Sequence, residues 1–396
     1  MAKNWAVTIG INGYRNLQRL KYAVQDAESI QRFLQEDLKI QTAYYFSDNS
    51  PPIQQDYGPE LDSSPTYTSL RRFFRVRFEE PFLQTGDNLW FFFAGHGIRH
   101  QDRDYLMPID GDPGDIGDTG IPLHYISERL RRSGADNIVM VIDACRSELG
   151  RRGGIGIGEE KQQGVITLFS CSPHESSYEI EDLQQGAFTY ALLESLQIQG
   201  EGNCATVERL YHRLRQRVPQ LSQQYKKPQQ TPYGVIEPPT KYHLILLQDK
   251  TKASDIVALK NDALQAEAQR NFKLAEQLWI HILAVSPADH DAVEAVIRLT
   301  RISDIPESPP QPLTQQSSQL SRSSSNQNRE RLSSPPKVPV MTDHDNHSTR
   351  TSAIEELINE FRNSRDRGKW VIPVCGSGFS KHIINKERLE SVHGRK

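Results

Sequence analysis

Two residues, His96 and Cys145, have the types and surroundings of a base and a nucleophile. His96 lies between two glycines after an apolar run, and Cys145 follows Asp143 and Ala144 at the end of another apolar run. A thiol with its ordinary pKa of about 8.5 is only partly ionised near neutral pH, and a neighbouring imidazole that accepts its proton makes the thiolate available. The pair therefore predicts nucleophilic catalysis by a thiolate.

The neighbours of these two residues add to that prediction. The flanking glycines leave room for a substrate backbone, and we predict that the backbone N–H groups of Gly97 and Cys145 form an oxyanion hole for a tetrahedral intermediate. A lone cysteine after an apolar strand is usually an inert core thiol, whereas a histidine and a cysteine at two strand ends favour chemistry. Cys171 also follows a strand-like run and is the rival nucleophile, but it has no companion motif.

The elements that must position these residues follow from the apolar pattern. Over about the first 250 residues, short β-branched and aromatic runs alternate with amphipathic stretches, which predicts an α/β fold with a mainly parallel sheet. The runs at 89–93 and 138–142 are apolar without alternation, as in central strands covered by helices on both faces. Functional groups collect at the carboxyl ends of such strands. Strands are predicted near 5–11, 41–46, 88–94, 137–143, 164–170 and 242–247, and helices over 26–34, 67–78, 122–132, 188–197 and 207–218.

Composition divides the chain into four segments. We assign residues 1–250 to a catalytic domain and 253–302 to two or three helices that are similar to one tetratricopeptide-type hairpin, a helical spacer being the alternative. Residues 303–350, rich in Ser, Pro, Gln and Asn, are predicted to be a disordered linker. Residues 351–396 resemble the opening βα unit of a sirtuin-like NAD-binding domain. We interpret this last segment as truncated and inactive, because a domain usually needs roughly 100 residues or more.

Charge and cysteine content exclude several classes of function. A formal net charge of −3 with scattered basic residues gives no surface for nucleic acid. No apolar stretch approaches the roughly 18 residues that span a bilayer, and the chain shows no signal peptide. The four cysteines lack CxxC spacing, so neither a disulfide framework nor a zinc site is expected. We therefore expect a reduced, cytoplasmic setting without membrane or nucleic-acid partners.

Further stretches accompany the His96 and Cys145 motifs, namely residues 12–14 (Asn-Gly-Tyr), 20–27, 105–110 and 186–193. Together they resemble the caspase-homologue family (peptidase family C14), in particular its prokaryotic metacaspase-like members, also called orthocaspases. The similarity covers roughly residues 3–248. It implies a caspase-like α/β/α sandwich whose His/Cys dyad cleaves peptide bonds in proteins, so we expect a cysteine endopeptidase.

Two acidic residues bear on the choice of substrate. True caspases have Gln two positions before the nucleophile and cut after Asp, whereas this chain has Asp143 there. A carboxylate in the P1 pocket repels an acidic side chain and pairs with Arg or Lys. Asp26 matches the second pocket acid of metacaspases, and its alternative role is that of an acid stabilising a helix N-terminus. Ala94 and Ala23 replace a Ser and a Cys that are common in the family, so a differently shaped pocket is expected.

A basic, glycine-rich loop at 149–158 follows the nucleophile. Arg151 and Arg152 would fit a basic-P1 pocket, and mobile loops are preferred sites of nicking, so we predict self-cleavage there. The GxGxG pattern in this loop lacks a following Lys-Ser/Thr, and nucleotide binding is not predicted. No cofactor is expected to be required. Calcium binding by the Asp-rich stretch 102–118 is less favoured than turn formation, because the stretch does not follow an EF-hand pattern.

Two classes of function remain open. The first is an active endopeptidase that cleaves proteins or peptides after Arg or Lys and binds protein partners through residues 253–302. The second is a catalytically silent caspase-like scaffold that recruits partners through its C-terminal region. The presence of both dyad residues favours the enzyme.

Overall fold

The computed structural model describes residues 3–54, 59–146, 165–173 and 175–303, with the backbone alone at 145, 146, 302 and 303. The predicted self-cleavage sites Arg151 and Arg152 lie outside the described residues. The same holds for residues 304–350 of the predicted linker and for the sirtuin-like segment 351–396.

A mainly parallel sheet forms the centre of the fold. Its strands run in the order β10-β7-β6-β3-β1-β2, all neighbours being parallel except β10, which is antiparallel to β7. The short strand β4 pairs antiparallel with the last four residues of β3, β5 pairs with β4, and β8 pairs with β9 apart from this sheet. The strands are β1 Asn4–Gly10, β2 Thr42–Ser47, β3 Asn88–His100, β4 Arg103–Leu106, β5 Ile121–Pro122, β6 Asn137–Arg146, β7 Ile166–Phe169, β8 Glu179–Ile180, β9 Gln185–Gly186 and β10 Tyr233–Ile236.

Helices cover both faces of this sheet. On one face, Phe91 and Phe93 of β3 share a core with residues of α2 and α4, and on the other, Trp90 and Phe92 share a core with α1, α5 and α6. Successive residues of a strand point to opposite faces, so the unbroken apolar run of β3 supplies both cores. The predicted three-layer α/β sandwich is confirmed. The helices are α1 Ala23–Glu36, α2 Tyr67–Arg77, α3 Ile116–Thr119, α4 Leu123–Arg131, α5 Ala187–Gln197, α6 Val207–Gln224, α7 Ala253–Ala268, α8 Phe272–Val285 and α9 His290–Ser303.

The prediction of a strand at 242–247 is wrong. Leu244 and Ile245 are buried, but their backbone bonds go elsewhere: the N–H of Val207 donates to Leu244, and the N–H of Ile245 donates to His281 Nε2 at 3.2 Å. The apolar run therefore fills space between helices instead of joining the sheet. The strand at this edge of the sheet is β10. The sequence did not predict these four residues as a strand, because prolines lie on both sides of them.

Residues 253–303 form three helices, within the two or three that the sequence predicted. Leu259, Trp279 and Leu299, one from each helix, belong to a shared core. Asn137 at the start of β6 lies 3.4 Å from His281 of α8, measured from Nδ2 to Nδ1. These helices thus contact the amino ends of the strands. No helix in the described part of the chain is long and apolar enough to cross a membrane.

Candidate active site

His96 and Cys145 are opposite each other on neighbouring parallel strands. The register of β3 and β6 pairs His96 with Cys145 and Gly97 with Arg146. Adjacent strands lie about 4.8 Å apart, so the two residues are as close as a sheet allows. The structure therefore brings the predicted dyad together at the carboxyl ends of the two central strands. Gly97 and Cys145, the predicted oxyanion-hole donors, also lie on this pair of strand ends.

The His96 ring is held on several sides. His96 is only 2% exposed, and its Nε2 lies 2.7 Å from the backbone oxygen of Gln18. Its backbone N–H donates to the hydroxyl of Tyr14 at 2.8 Å, and that hydroxyl donates to the oxygen of Met107 at 3.2 Å. A carbonyl oxygen can only accept, so in the neutral ring Nε2 carries the proton and Nδ1 the lone pair. This is a tautomer in which Nδ1 can act as a base.

Close packing accounts for the glycine before the histidine. A Cβ atom at Gly95 would collide with the Tyr14 hydroxyl and would lie 2.7 Å from Cζ of Phe93. Any side chain at this position would displace the tyrosine that holds His96. The position of Tyr14 is therefore a reason for a glycine here that is independent of the space predicted for a substrate backbone.

Asp26 and Asp143 converge on one pocket beside the histidine. Asp26 comes from α1 and Asp143 from β6, where it is paired with Ala94 of β3. A Cβ atom at Gly186 would lie 2.8 Å from Oδ2 of Asp143 and 2.9 Å from Oδ2 of Asp26, so both carboxyl groups meet at this glycine. The two carboxyl groups line a small pocket, whose other lining residues are Ala23, Ala94, Gly95, Ser177, Tyr178, Glu179 and Gly186.

Asp143 accepts hydrogen bonds at both carboxyl oxygens. The hydroxyl of Ser177 donates to Oδ1 and that of Thr189 to Oδ2, each at 2.7 Å. Burial raises the pKa of Asp143, and donors from Ser177, Thr189 and Ser170 oppose that rise. Thr189 lies in the first turn of α5, where the positive end of the helix dipole also favours a carboxylate.

Asp26 has weaker support for its charge. Its two oxygens share the N–H of Gly186, at 3.1 and 3.0 Å. Burial raises the pKa of Asp26 well above its usual range, and the nearby charge of Asp143 raises it further. Asp26 is therefore the pocket carboxyl that takes up a proton more readily. Within the described ranges no Lys or Arg forms an ion pair with either aspartate.

The hydrogen bonds at the start of α1, the helix that Asp26 would stabilise in its alternative role, come from other side chains. Oε1 of Glu179 accepts from the N–H groups of Lys21 and Tyr22 at 2.9 and 2.6 Å, just before α1 begins. Oδ1 of Asn12 accepts from the N–H of Val24 at 3.1 Å. Asp26 lies in the first turn of α1, yet its side chain bonds Gly186 at the start of α5.

Removing the charge of Asp26 is expected to stabilise the protein at neutral pH. Because the pKa of Asp26 is raised in the folded state, the folded chain binds more protons than the unfolded chain above about pH 4, and stability falls as pH rises through the folded pKa. We expect Asp26→Asn to be more stable than the wild type at pH 8, because the substitution removes the cost of a buried carboxylate. Urea unfolding measures this gain in the free energy of unfolding, which should vanish near pH 4. The exposed Asp37→Asn at the other end of α1 is the control, and a loss of stability at pH 8 in Asp26→Asn alone would contradict this prediction.

Three supporting side chains were not foreseen from the sequence. Tyr14 and Thr189 lie in stretches 12–14 and 186–193, which the resemblance already singled out, but their hydroxyl partners were invisible. Ser177 lies in the connection between β7 and β8, where nothing in the pattern marked it. Hydroxyl donors of this kind become recognisable only when the strand ends are brought together.

The Asp-rich stretch 102–118 makes turn and loop contacts. Asp112 accepts from the N–H of Gly114 at 2.8 Å, and Asp110 accepts from the N–H of Tyr67 at 2.8 Å. Among the described residues, no group of three or more His, Cys, Asp or Glu is arranged to hold a metal ion. That no calcium is required stays a prediction to be tested in solution.

The sandwich, with a histidine and a cysteine opposite each other at the ends of its central strands, defines the architecture of a caspase-type domain. The family described as "Caspase domain" (Peptidase C14) matches residues 3–241, and the chain belongs to this family. Membership supports a cysteine-peptidase-like function with protein substrates. The solved structure titled "structure of pro-sf-caspase-1" is similar at 14% identity and a TM-score of 0.41, over 59% of this chain and 90% of that chain. No curated protein matches the chain significantly.

Proposed function

We propose that this chain is a metacaspase-like cysteine endopeptidase that cleaves proteins after Arg or Lys. The observation that carries the proposal is the pairing of His96 with Cys145 beside a pocket that holds the buried carboxyl groups of Asp26 and Asp143. The first pair offers a base and a nucleophile, and the second offers negative charge for a basic P1 side chain.

The proposed mechanism begins with proton transfer from the Cys145 thiol to Nδ1 of His96. The thiolate attacks the carbonyl carbon of the scissile bond, and the N–H groups of Gly97 and Cys145 stabilise the negative oxygen that forms. The imidazolium then gives its proton to the leaving amine as the C–N bond breaks, which leaves an acyl-enzyme. Water, deprotonated by His96, hydrolyses the acyl-enzyme and restores the thiol. The Gln18 carbonyl, bound at Nε2, stabilises the imidazolium throughout.

Substrate choice in this proposal depends on burial. Asp26 and Asp143 are 3% and 4% exposed, so a guanidinium or ammonium that enters between them meets charge with little solvent screening. An acidic P1 side chain would meet two carboxyl groups and would be repelled. We accordingly propose Arg and Lys as the P1 residues.

Matched peptide reporters test the proposal. Purified chain is mixed with reporters that differ only in Arg, Lys or Asp at P1, with and without calcium, and Cys145→Ala is the control. Turnover of the Arg and Lys reporters that disappears in Cys145→Ala is the expected result. Absence of turnover with every reporter, calcium included, would favour the catalytically silent scaffold.

Self-cleavage follows from the same specificity. Arg151 and Arg152 stand just after Cys145 in the sequence, and a basic-P1 pocket would accept either. We expect the purified chain to be cut after Arg152 or Arg151 and Cys145→Ala to stay intact, with mass spectrometry identifying the new termini. The double change Arg151→Gln with Arg152→Gln should block the cut. Cutting at this place in pure Cys145→Ala would contradict self-cleavage.

Setting and partners complete the proposal. A cytoplasmic, reducing setting would keep Cys145 as a thiol. The helices of residues 253–303 offer a surface for protein partners at the amino ends of the strands, away from the pocket. Neither nucleic acid nor a membrane has a role in this proposal.

A further inference from the structure

A glutamine outside the pocket is hydrogen-bonded to Ser177 and Tyr178, two of the residues that line it. Gln230 lies between α6 and β10 and is fully buried. Its Nε2 donates to the backbone oxygen of Ser170 at 3.0 Å and to Oγ of Ser177 at 3.1 Å, and its Oε1 accepts from the N–H of Tyr178 at 3.1 Å. These partners satisfy the side chain on every side.

The partners also fix which way the amide of Gln230 points. The backbone N–H of Tyr178 can only donate, so the atom that faces it must be Oε1. The carbonyl of Ser170 can only accept, so the atom that faces it must be Nε2. The amide cannot be flipped without losing both bonds. Nε2 is therefore the donor to the hydroxyl of Ser177.

This direction sets the hydroxyl of Ser177 in turn. A hydroxyl carries one hydrogen, and because its oxygen accepts from Gln230, that hydrogen is available for Oδ1 of Asp143, 2.7 Å away. A hydrogen bond donated to a carboxyl oxygen favours the carboxylate over the acid. Gln230, Ser177 and Asp143 thus form a directed chain that ends on the negative charge of the pocket.

We propose that Gln230 is a positioning residue for P1 selectivity, which orients the Ser177 hydroxyl so that Asp143 keeps the negative charge that binds a basic side chain. This inference rests on the proposed function, because it concerns the same P1 pocket. Gln230 does not touch the substrate in this scheme; it acts through Ser177. Asp26 and Glu179 also line the pocket, and neither forms a hydrogen bond with Gln230 in the described part of the chain.

Gln230→Glu tests the direction of the chain with almost no change of shape. An ionised glutamate at this position can still accept from Tyr178 but can no longer donate to Ser177 or to the carbonyl of Ser170, so Ser177 would turn its hydrogen away from Asp143. We expect kcat/KM for the Arg reporter to fall about 10-fold, mainly through KM, with kcat within about threefold. A reporter with neutral citrulline at P1 should change by less than threefold. Gln229→Glu, an exposed neighbour with the same change of charge, should behave as wild type.

A double-mutant cycle separates this role from general packing. If Gln230 acts through the hydroxyl, Gln230→Glu should have little further effect in a Ser177→Ala background. Equal losses for the Arg and citrulline reporters, full additivity with Ser177→Ala, or an equal effect of Gln229→Glu would overturn the proposal. Should Gln230→Glu fail to fold by circular dichroism, Gln230→Met removes the same donor without adding charge and takes its place in the cycle.

Failure of the proposed function can be told apart from failure of this inference. Wild-type turnover of the Arg reporter that Gln230→Glu leaves unchanged overturns the inference alone. If the wild type has no turnover, the proposed function fails, and calorimetry with Cys145→Ala then decides the inference. Tighter binding of an Arg-P1 peptide than of its citrulline analogue, reduced about 10-fold by Gln230→Glu, would support it. Equal affinities for the two peptides would overturn the inference about Gln230 in addition to the proposed function.

Discussion

Replacement of His96 by alanine is expected to lower kcat/KM for an Arg-P1 reporter by about 10⁴-fold or more, and Cys145→Ala is expected to do the same. The reason is that the two side chains act as a unit: without the imidazole the thiol is mostly protonated, and without the thiol no acyl-enzyme forms. Losses of this size are usual when one member of such a unit is removed.

The signature of a unit is that its losses do not add. We expect the double variant His96→Ala with Cys145→Ala to be no worse than either single variant. The control is His100→Ala, at the end of the same strand β3, which should retain activity within about threefold. Alkylation by iodoacetamide supplies a second readout, because the reaction of Cys145 should slow when His96 is removed. Activity of His96→Ala within tenfold of wild type would exclude His96 as the base.

The central part of the fold could be predicted because its strands are buried on both faces. An unbroken apolar run such as that of β3 is typical of a strand covered by helices on both sides, and His96 lies near the end of the part of β3 that pairs with β6. The run at 242–247 looks the same in sequence but has a different role. Its backbone hydrogen bonds go to Ala205, Val207 and His281 and not to a neighbouring strand of the sheet. A pattern of apolar residues cannot distinguish a buried strand from a buried connection of this kind.

The residues of the candidate site also fall into those that the sequence could place and those that it could not. His96 and Cys145 could be placed together because both end central strands, and strand ends of a parallel sheet share one edge. Asp26 could be assigned only by resemblance, since its pocket role depends on Gly186, which is 160 residues away in sequence. The hydroxyl donors to Asp143 could not be foreseen at all, because short polar side chains are common in loops and only the folded chain selects among them.

Asp143→Asn is expected to lower kcat/KM for Arg and Lys reporters by about 10²–10³-fold, with most of the loss in KM. Loss of one partner from a buried charge pair costs several kcal/mol, because the other charge is left without compensation in the pocket. Asn is nearly isosteric and its amide oxygen can still accept from Ser177 or Thr189, so the fold should persist. Circular dichroism and thermal unfolding check that it does.

The contrast with a neutral substrate decides whether charge is what the pocket recognises. A citrulline-P1 reporter keeps the shape of arginine without its charge, and its turnover should change by less than tenfold in Asp143→Asn. Asp26→Asn should show the same selectivity with a smaller loss, because Asp26 carries its charge less readily than Asp143 does. Neither variant should gain activity on an Asp reporter, since one buried carboxyl group and Glu179 remain at the pocket. Parallel losses with the Arg and citrulline reporters would mean that Asp143 shapes the strand end beside Cys145 and does not select the P1 side chain.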